Sequence, residues 1–213
     1  MTDLLAIDKA DLLVIDKSRV ELTSNGDLLV LQFSTSEDSI SNWGSALIRR
    51  MCHSPFSHID LVLPDGNLLG ASDHPDAPVV SGNPRGVAIR PPGYQPFGTR
   101  RQMIIRTKRA EAIRSAIMSQ LGAPFDSSAL LDFISDAFPG LRDWRDSGTW
   151  FCAELIIWGF ETGSYWAPKS LLWPKNRVSP TDIFLIFMFD PNWLNRDEFW
   201  SVIPGLKLGN KER

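Results

Sequence analysis

Short apolar runs alternate with turn-forming residues along most of the chain, and their spacing predicts a mixture of strands and helices. The run Asp27–Phe33 follows Asn25-Gly26 and is almost continuously apolar, which predicts a buried strand. Two β-rich runs within Ser57–Ser72 flank Pro64-Asp65-Gly66-Asn67, which predicts a β-hairpin. The run Arg100–Lys108 predicts a further strand.

Helical patterns occupy several other segments. Apolar residues fall close to helical spacing in Ser36–Met51 and in Arg109–Leu121, and each segment predicts a helix. A turn and then a helix are predicted within Ala123–Phe138. The segment Cys152–Phe160 is apolar nearly all the way round a helix, so we expect it to be buried. The short apolar run Asp182–Phe189 predicts a buried strand.

The remaining long segment, residues 73–98, is rich in proline and glycine and predicts a loop with one strand at Gly86–Ile89. A loop of this length in a compact domain is often a lid or a binding loop, and a well-packed but inert excursion is the alternative. The strand-rich middle is flanked by helices without a strict βαβ order. The pattern therefore predicts an α+β fold with an antiparallel sheet.

Length and composition are those of an ordinary globular protein. With 213 residues, 43% of them hydrophobic and 22% charged, the chain can bury one sizeable core. We expect a single domain over 1–213, with its core at about 26–189, an N-terminal extension over 1–25 and a peripheral C-terminal tail over 194–213. The net charge of −3 argues against a nucleic-acid partner, which would favour a basic patch.

The sequence also bears on where the protein works. No segment has 18 consecutive uncharged apolar residues, so no transmembrane helix is predicted. The start, MTDLLAIDKADLLVIDKSR, lacks the basic region and cleavage site of a signal peptide. We therefore expect a cytoplasmic protein by default, and delivery by a phage or by a non-Sec secretion system is the alternative.

The stretch WFCAELIIWGF (Trp150–Phe160) contains one of the two cysteines in the chain. Cys152 falls in the first turn of the predicted helix, where the helix dipole and backbone N–H groups stabilise a thiolate or an oxyanion. That position suits a nucleophile. A lone cysteine at the start of an apolar helix is more often a small buried hydrophobe, so both interpretations stay open. Free thiols are expected, because two cysteines do not make a disulfide framework.

A cysteine nucleophile needs an imidazole partner, and the chain has three histidines. His58 opens the first strand of the predicted hairpin, which is a rigid mount for a general base. Because side chains alternate along a strand, His58 and Asp60 should point to the same face. A satisfied surface histidine is the alternative. His53 and His74 fall in a turn and in the proline-rich loop, where either could be an ordinary loop residue.

A metal site is a weaker interpretation of some of the same residues. The side chains that could gather around zinc are Cys52, His53, His58, Asp73, His74 and Asp76. Their spacing matches neither paired Cys-x-x-Cys nor His-Glu-x-x-His, so we predict no metal and no organic cofactor.

Several segments resemble the circularly permuted NlpC/P60-like cysteine hydrolases, a papain-like group in which the histidine precedes the cysteine. The group includes the YiiX/YaeF-type proteins and the lecithin:retinol acyltransferase-like enzymes. SHIDLVLPDGNLLGAS (Ser57–Ser72) is similar to the histidine-bearing hairpin of the family. GAPFD (Gly122–Asp126) resembles its Gly-x-Pro-Tyr-Asp turn, and WFCAELI (Trp150–Ile156) resembles the start of its nucleophile helix. VSPTDIFLI (Val178–Ile186) resembles its closing Pro-x-Asp strand.

These short motifs occur in the order of the family over roughly 26–189. The resemblance implies a papain-like core in permuted order, with Cys152 as the nucleophile and His58 as its imidazole partner. Glu154 corresponds to the glutamate of the family motif Cys-Ser-Glu, and its carboxylate would also suit the first helical turn. Glu154 and Trp150 are therefore candidates for substrate contact, with helix stabilisation and core packing as the alternatives.

The resemblance has one gap. The family usually places a third polar residue on the second hairpin strand, where it orients the imidazole, and this chain has Gly70 at or near that position. Ser72 or Asp73 from slightly further along, or Asp60 from the His58 strand, could supply the missing group. A missing orienting group would weaken catalysis without abolishing it, because the cysteine and the histidine remain, and a catalytically degenerate binding module stays an alternative.

The resemblance implies a cysteine peptidase or amidase, a thiol hydrolase that cleaves an amide bond through an acyl-enzyme. A peptide, and first of all a bacterial cell-wall peptide such as a peptidoglycan fragment, is the expected substrate. An acyltransferase or lipid-ester hydrolase of the lecithin:retinol acyltransferase type, with an acyl substrate, is the alternative. The binding module and a phage or secretion-system component are the remaining alternatives. The oligomeric state is not predicted.

Overall fold

A computed structural model of the chain describes residues 24–36, 56–94, 97–127, 148–164, 178–187 and 190–194. Within these ranges the chain forms a six-stranded antiparallel sheet and three helices, which confirms the α+β class. None of these helices is long and apolar enough to cross a membrane. The predicted helix over Ser36–Met51, most of the predicted helix within Ala123–Phe138 and nearly all of the C-terminal tail lie outside the described residues.

The sheet has the strand order β4-β5-β3-β2-β1-β6. Its strands are β1 (Leu28–Ser36), β2 (His58–Val62), β3 (Leu68–Asp73), β4 (Ser81–Gly82), β5 (Arg85–Arg90) and β6 (Phe97–Arg106). The predicted hairpin is confirmed as β2 and β3, and its turn is closed by the Leu63 N–H, which donates to the Asn67 carbonyl at 2.8 Å. Because β1 and β3 flank β2, the strand that begins with His58 lies inside the sheet rather than at its edge.

The proline-rich segment 73–98 contains more strand than its composition predicts. β5 confirms the strand expected at Gly86–Ile89, and the two-residue β4 pairs with it at one edge of the sheet. β6 begins at Phe97, three residues before the predicted start at Arg100. Residues 74–80, between β3 and β4, form one loop of this segment, and a second loop leads from β5 into β6.

Alternation along β1 gives the sheet two different faces. Leu31 and its neighbours on the same face belong to the main hydrophobic core, together with residues of the helices. Val30 belongs to a smaller cluster that includes Tyr94. Gln32 and Ser34 share the face of Val30, because residues two apart on a strand point the same way. Along β1, one face is therefore apolar from Leu29 to Phe33, whereas the other becomes polar towards the end of the strand.

Two helices lie against the apolar face. They are α1 (Ala110–Met118) and α2 (Cys152–Thr162). α1 falls within the predicted helix over Arg109–Leu121. α2 begins at the predicted residue and is buried along most of its length, as its nearly continuous apolar pattern predicts. It packs against α1, β2 and β3.

The prediction of a strand at Asp182–Phe189 is wrong, because Pro180–Phe187 is a helix, α3. The cause is a cap at its start. The Ser179 N–H donates to Asp182 Oδ2 at 2.7 Å, and the Asp182 N–H donates to Ser179 Oγ at 3.1 Å. This reciprocal pair, with a proline at the first helical position, directs the chain into a helix. Leu185 is left exposed by the helical period.

Candidate active site

The structure brings together the two residues proposed as nucleophile and base. His58 is the first residue of β2 and Cys152 is the first residue of α2. The His58 side chain hydrogen bonds to the Cys152 thiol. α2 packs on β2, and each of the two residues is the first of its element, so the pair lies at one end of both elements.

The thiol is more buried than the sequence suggests. Reactive cysteines are usually partly exposed, but Cys152 is only 1% exposed because it packs within the main hydrophobic core. His58 is 9% exposed. The imidazole is therefore the side of the pair that is nearer to solvent.

The imidazole is held by a carboxylate on its own strand. His58 Nε2 lies 2.9 Å from Asp60 Oδ1, and both side chains are buried. The contact arises because residues two apart on a strand share a face, as the sequence predicts. With Nε2 engaged by Asp60, Nδ1 is the ring nitrogen that remains for Cys152.

The charges around His58 strongly favour its protonated form. Burial alone lowers the pKa of His58, but the negative charge of Asp60, the hydrogen bond to Asp60 and the contact with Cys152 outweigh it. Together they raise the pKa of His58 from 6.5 to about 10. His58 is therefore an imidazolium at neutral pH.

The structure explains why glycine occupies position 70. A Cβ at this position would overlap Asp60 Oδ1 and would lie 3.1 Å from Asp60 Cγ. The Asp60 carboxylate therefore occupies the space that a side chain on β3 would need. A polar side chain at position 70 and the carboxylate of Asp60 in its present place are mutually exclusive.

The other two candidates for the orienting group lie on β3. Ser72 is buried, and its carbonyl accepts a hydrogen bond from Arg90 Nη2 at 3.4 Å. Asp73, the last residue of β3, is exposed. Of the three candidates, Asp60 is the one whose carboxylate is shown hydrogen-bonded to the His58 imidazole.

Tyr94 is a site residue that sequence reasoning missed. Its hydroxyl oxygen lies 2.9 Å from His58 Nε2, and its O–H donates to Asp60 Oδ2 at 3.3 Å. Burial, and then the charge of Asp60, raise the pKa of Tyr94 well above its usual value of 10.0, so the phenol stays neutral. The hydroxyl therefore closes a ring of hydrogen bonds with the imidazole and the carboxylate.

A turn places Tyr94 in the site, and its sequence signal was available. The Tyr94 N–H donates to the Pro91 carbonyl at 3.2 Å, and Gly93 has a φ of 78°. Pro-Pro-Gly-Tyr is therefore a type II turn, with proline and glycine at its two central positions. The same pattern in the sequence predicts a rigid turn that carries one of only two tyrosines in the chain.

A fully buried arginine supports this turn. The Arg90 guanidinium lies 5.3 Å from the centroid of the Tyr94 ring. Arg90 Nη1 donates to the Gly70 carbonyl at 3.1 Å, and Nη2 donates to the Gly86 carbonyl at 3.2 Å. Arg90 thus ties β3 and β5 together directly behind Tyr94.

The two candidates for substrate contact near Cys152 have structural roles. Glu154 is buried, and its carboxylate accepts the Phe151 N–H at 3.5 Å, at the start of α2. Trp150 Nε1 donates to Gln120 Oε1 at 3.0 Å, and its ring packs on Trp158 with centroids 5.0 Å apart. Both contacts fix the start of α2 and so the position of Cys152.

Among the described residues, no group of three or more His, Cys, Asp or Glu side chains could hold a metal ion. Two of the residues considered for zinc, Cys52 and His53, lie outside the described ranges. His74 is half-buried, and its pKa is lowered by burial and then by the charges of His58 and Arg90. His74 is therefore a neutral imidazole at neutral pH.

No protein-family model matches the chain, and no curated protein matches it. The geometry of four side chains therefore carries the functional argument: Cys152, His58, Asp60 and Tyr94. A thiol beside a helix start, an imidazolium in contact with it and a buried carboxylate behind the imidazolium can perform nucleophilic acyl transfer.

Proposed function

We propose that the protein is a cysteine hydrolase, a peptidase or amidase that cleaves an amide bond through an acyl-enzyme on Cys152. The observation that carries this proposal is the continuous hydrogen-bonded series from the Cys152 thiol through His58 to Asp60. The α+β fold, the histidine on the hairpin and the cysteine at the head of a buried helix are compatible with a papain-like core in permuted order.

The charge distribution favours a reactive thiolate. A positive imidazolium in contact with a thiol stabilises the thiolate by Coulomb attraction, and the start of α2 adds the positive end of a helix dipole. Asp60 keeps His58 protonated and fixes its ring. Tyr94 donates to the second oxygen of the same carboxylate and so holds Asp60 in place.

The reaction follows from these positions. The Cys152 thiolate attacks the substrate carbonyl carbon, a C–S bond forms, and the π electrons move to oxygen, near the backbone N–H groups at the start of α2. When the intermediate collapses, the C–N bond breaks and His58 gives its proton to the leaving amine. The products of this step are a thioester on Cys152, a neutral His58 and a free amine.

Hydrolysis of the thioester needs His58 as a base, and acylation provides it. The Cys152 side chain contributes to the raised pKa of His58 by its charge and its hydrogen bond. Both contributions end when the sulfur is acylated, so the pKa of His58 falls and the neutral ring can accept a proton from water. Hydroxide then attacks the thioester, the C–S bond breaks, the acyl group leaves as a carboxylic acid, and the thiolate and imidazolium are restored.

The alternative of a degenerate binding module depended on the glycine at position 70. Because the carboxylate of Asp60 fills that space and bonds to the imidazole, an orienting group is available from a different strand. The catalytic interpretation is favoured for this reason. A peptide substrate, including one from the bacterial cell wall, remains the first expectation.

A small activated ester tests the proposal. In a Cys52→Ala background, p-nitrophenyl acetate should release a burst of about one equivalent of p-nitrophenol per chain, with acetyl bound to Cys152 in the intact mass. Cys152→Ala should abolish both the burst and the adduct, and His58→Ala should slow the burst by at least about 100-fold. A burst that survives Cys152→Ala, or its absence in the parent protein, would contradict the proposal.

A further inference from the structure

Arg90 is a fully buried cation that has no carboxylate in contact with it. Its guanidinium donates hydrogen bonds to four carbonyls, those of Gly70, Ser72, Pro84 and Gly86. Within the described residues it forms no ion pair, and its Nε has no hydrogen-bond partner. A full charge that is buried among carbonyls alone is unfavourable, so we expect a negative charge close by to offset it.

The Asp60 carboxylate supplies a negative charge from the neighbouring position. It fills the space beside Gly70, whose carbonyl accepts a hydrogen bond from Arg90 Nη1 at 3.1 Å. Tyr94 lies between the two charges, because its hydroxyl donates to Asp60 Oδ2 and its ring centroid lies 5.3 Å from the guanidinium. Burial and then the charge of Asp60 raise the pKa of Tyr94, whereas Arg90 lowers it. Asp60 thus has His58 in contact on one side and Arg90 beyond Tyr94 on the other.

The charges of this buried row change during the proposed reaction only at Cys152 and His58. In the free enzyme, a thiolate, an imidazolium, a carboxylate and a guanidinium give no net charge. In the acyl-enzyme the sulfur is a thioester and His58 has lost its proton, so the carboxylate of Asp60 has no cation in contact with it. Arg90 is then the cation that remains beside Asp60, because arginine keeps its proton in proteins.

We propose that Arg90 is a positioning residue for deacylation, which stabilises the Asp60 carboxylate while His58 is neutral and so frees His58 to accept a proton from water. Water gives this proton to His58 and its oxygen bonds to the acyl carbon. The C–S bond breaks, the carboxylic acid leaves, and the thiolate and imidazolium return. Without the guanidinium, Asp60 would hold the proton on His58 and the acyl-enzyme would last longer. This inference rests on the proposed hydrolase function and adds a residue that acts through Asp60.

In the described part of the chain, the charged and titratable groups that face His58 come from several elements. Asp60 lies on the same strand, Cys152 on α2, Tyr94 on the turn after β5 and His74 directly after β3. β1 places only uncharged side chains opposite this end of β2. Burial raises the pKa of Tyr94 and lowers that of His74, so both are uncharged at neutral pH and just above it. A rate of deacylation that changes above neutral pH therefore reports the proton on His58.

Two substitutions separate the charge of Arg90 from its hydrogen bonds. Arg90→Lys keeps the positive charge without the planar fork, whereas Arg90→Met removes the charge and keeps an unbranched side chain. Arg114→Met is the matched control, because Arg114 is also a buried arginine that donates to carbonyls, at the opposite end of β1 from the site. In a Cys52→Ala background, the burst from p-nitrophenyl acetate measures acylation and the later steady rate measures deacylation.

The steady rate should respond to the charge at position 90. At pH 7, Arg90→Met should slow it about 10-fold, which corresponds to about one pKa unit at His58. The burst should change less than about 3-fold, because p-nitrophenolate leaves without a proton. The deficit in the steady rate should close as the pH rises to about 9, where His58 loses its proton more readily.

The other two variants complete the comparison. Arg90→Lys should keep the steady rate within about 3-fold of the parent protein, because the charge remains. Arg114→Met should change neither rate. A steady rate that Arg90→Met leaves unchanged, or lowers equally at every pH, would overturn the inference.

Unfolding in urea gives a second test that needs no substrate. If the guanidinium offsets the charge of Asp60, Arg90→Met should lower the urea midpoint less in an Asp60→Asn protein than in the parent. Equal losses in the two backgrounds would show that only the carbonyl contacts of Arg90 matter, and would overturn the inference. A protein with Arg90→Met that folds only together with Asp60→Asn would support it. If Arg90→Met folds in neither background, Arg90→Lys decides: a steady rate near that of the parent supports the role of the charge, and a rate lowered at every pH overturns it.

Failure of the hydrolase proposal looks different. It shows as the absence of a burst in the parent protein or as a burst that survives Cys152→Ala, whatever the variants at Arg90 do. A burst that needs Cys152, followed by a steady rate that Arg90→Met leaves unchanged, overturns only the role of Arg90.

Discussion

Replacing the Asp60 carboxylate by an amide should turn His58 from an imidazolium into a neutral imidazole at neutral pH. Asp60→Asn keeps the size of the side chain and an oxygen that can accept from Nε2–H, but it removes the negative charge. Burial of His58 lowers its pKa, and Asp60 provides the largest of the influences that raise it. Once that charge is gone, burial should dominate.

The size of the expected change in the pKa of His58 follows from the same balance between burial and the charge of Asp60. The rise in the pKa of His58 from 6.5 to about 10 corresponds to about 5 kcal/mol in favour of the imidazolium. If most of this preference comes from Asp60, the variant should titrate at or below 6.5. At pH 8 the ring would then change from almost wholly protonated to almost wholly neutral.

Imidazole signals in an NMR titration report this change directly, because the chain has only three histidines. The His58 signal should stay in the imidazolium position up to about pH 8 in the parent protein and should titrate below pH 7 in Asp60→Asn. Asp73→Asn is a matched control, since Asp73 is an exposed carboxylate on β3. An Asp60→Asn protein whose His58 titrates as in the parent would refute the role of Asp60.

The remaining predictions concern stability and the hydroxyl of Tyr94. Because the folded-state pKa of His58 is raised, its contribution to stability is complete below about pH 6.5 and is lost as the pH rises towards about 10. The free energy of unfolding measured in urea should therefore decline over this pH range in the parent protein but not in Asp60→Asn. Parallel pH curves for the two proteins would contradict this prediction. Tyr94→Phe should cost about 1–2 kcal/mol in urea unfolding and slow the p-nitrophenol burst, because Asp60 loses a donor; unchanged values would exclude that role. Ser179→Ala removes the cap of α3 and should cost about 1 kcal/mol of unfolding free energy without changing the burst.

Local patterns predicted the elements that position the site. The hairpin that carries His58 was evident from a turn between two β-rich runs, and the alternation of side chains placed Asp60 beside it. The start of α2 at Cys152 followed from its continuous apolar pattern. These features depend on residues that are neighbours in the sequence, so the sequence could show them.

Features that depend on distant contacts, or on weighing two local signals, were not predicted. The apolar run of α3 has no clear period, and the Ser179 cap that makes it a helix was outweighed by β propensity. Tyr94 reaches His58 from 36 residues away along the chain, through a turn whose sequence signal says nothing about its partner. The overlap at Gly70 shows only in three dimensions, because it requires the register of two strands and the rotamer of Asp60.

The effect of His58 on the alkylation of Cys152 tests the central claim, the Cys152–His58 pair, most directly. Iodoacetamide reacts with the thiolate, and burial of Cys152 slows the reaction in the parent protein and in its variant alike, so the ratio of the two rates carries the information. In a Cys52→Ala background at pH 7, His58→Ala should lower the rate by at least about 10-fold, because the positive charge beside the sulfur is lost. Equal rates in the parent protein and in His58→Ala would contradict the pair and the hydrolase function built on it.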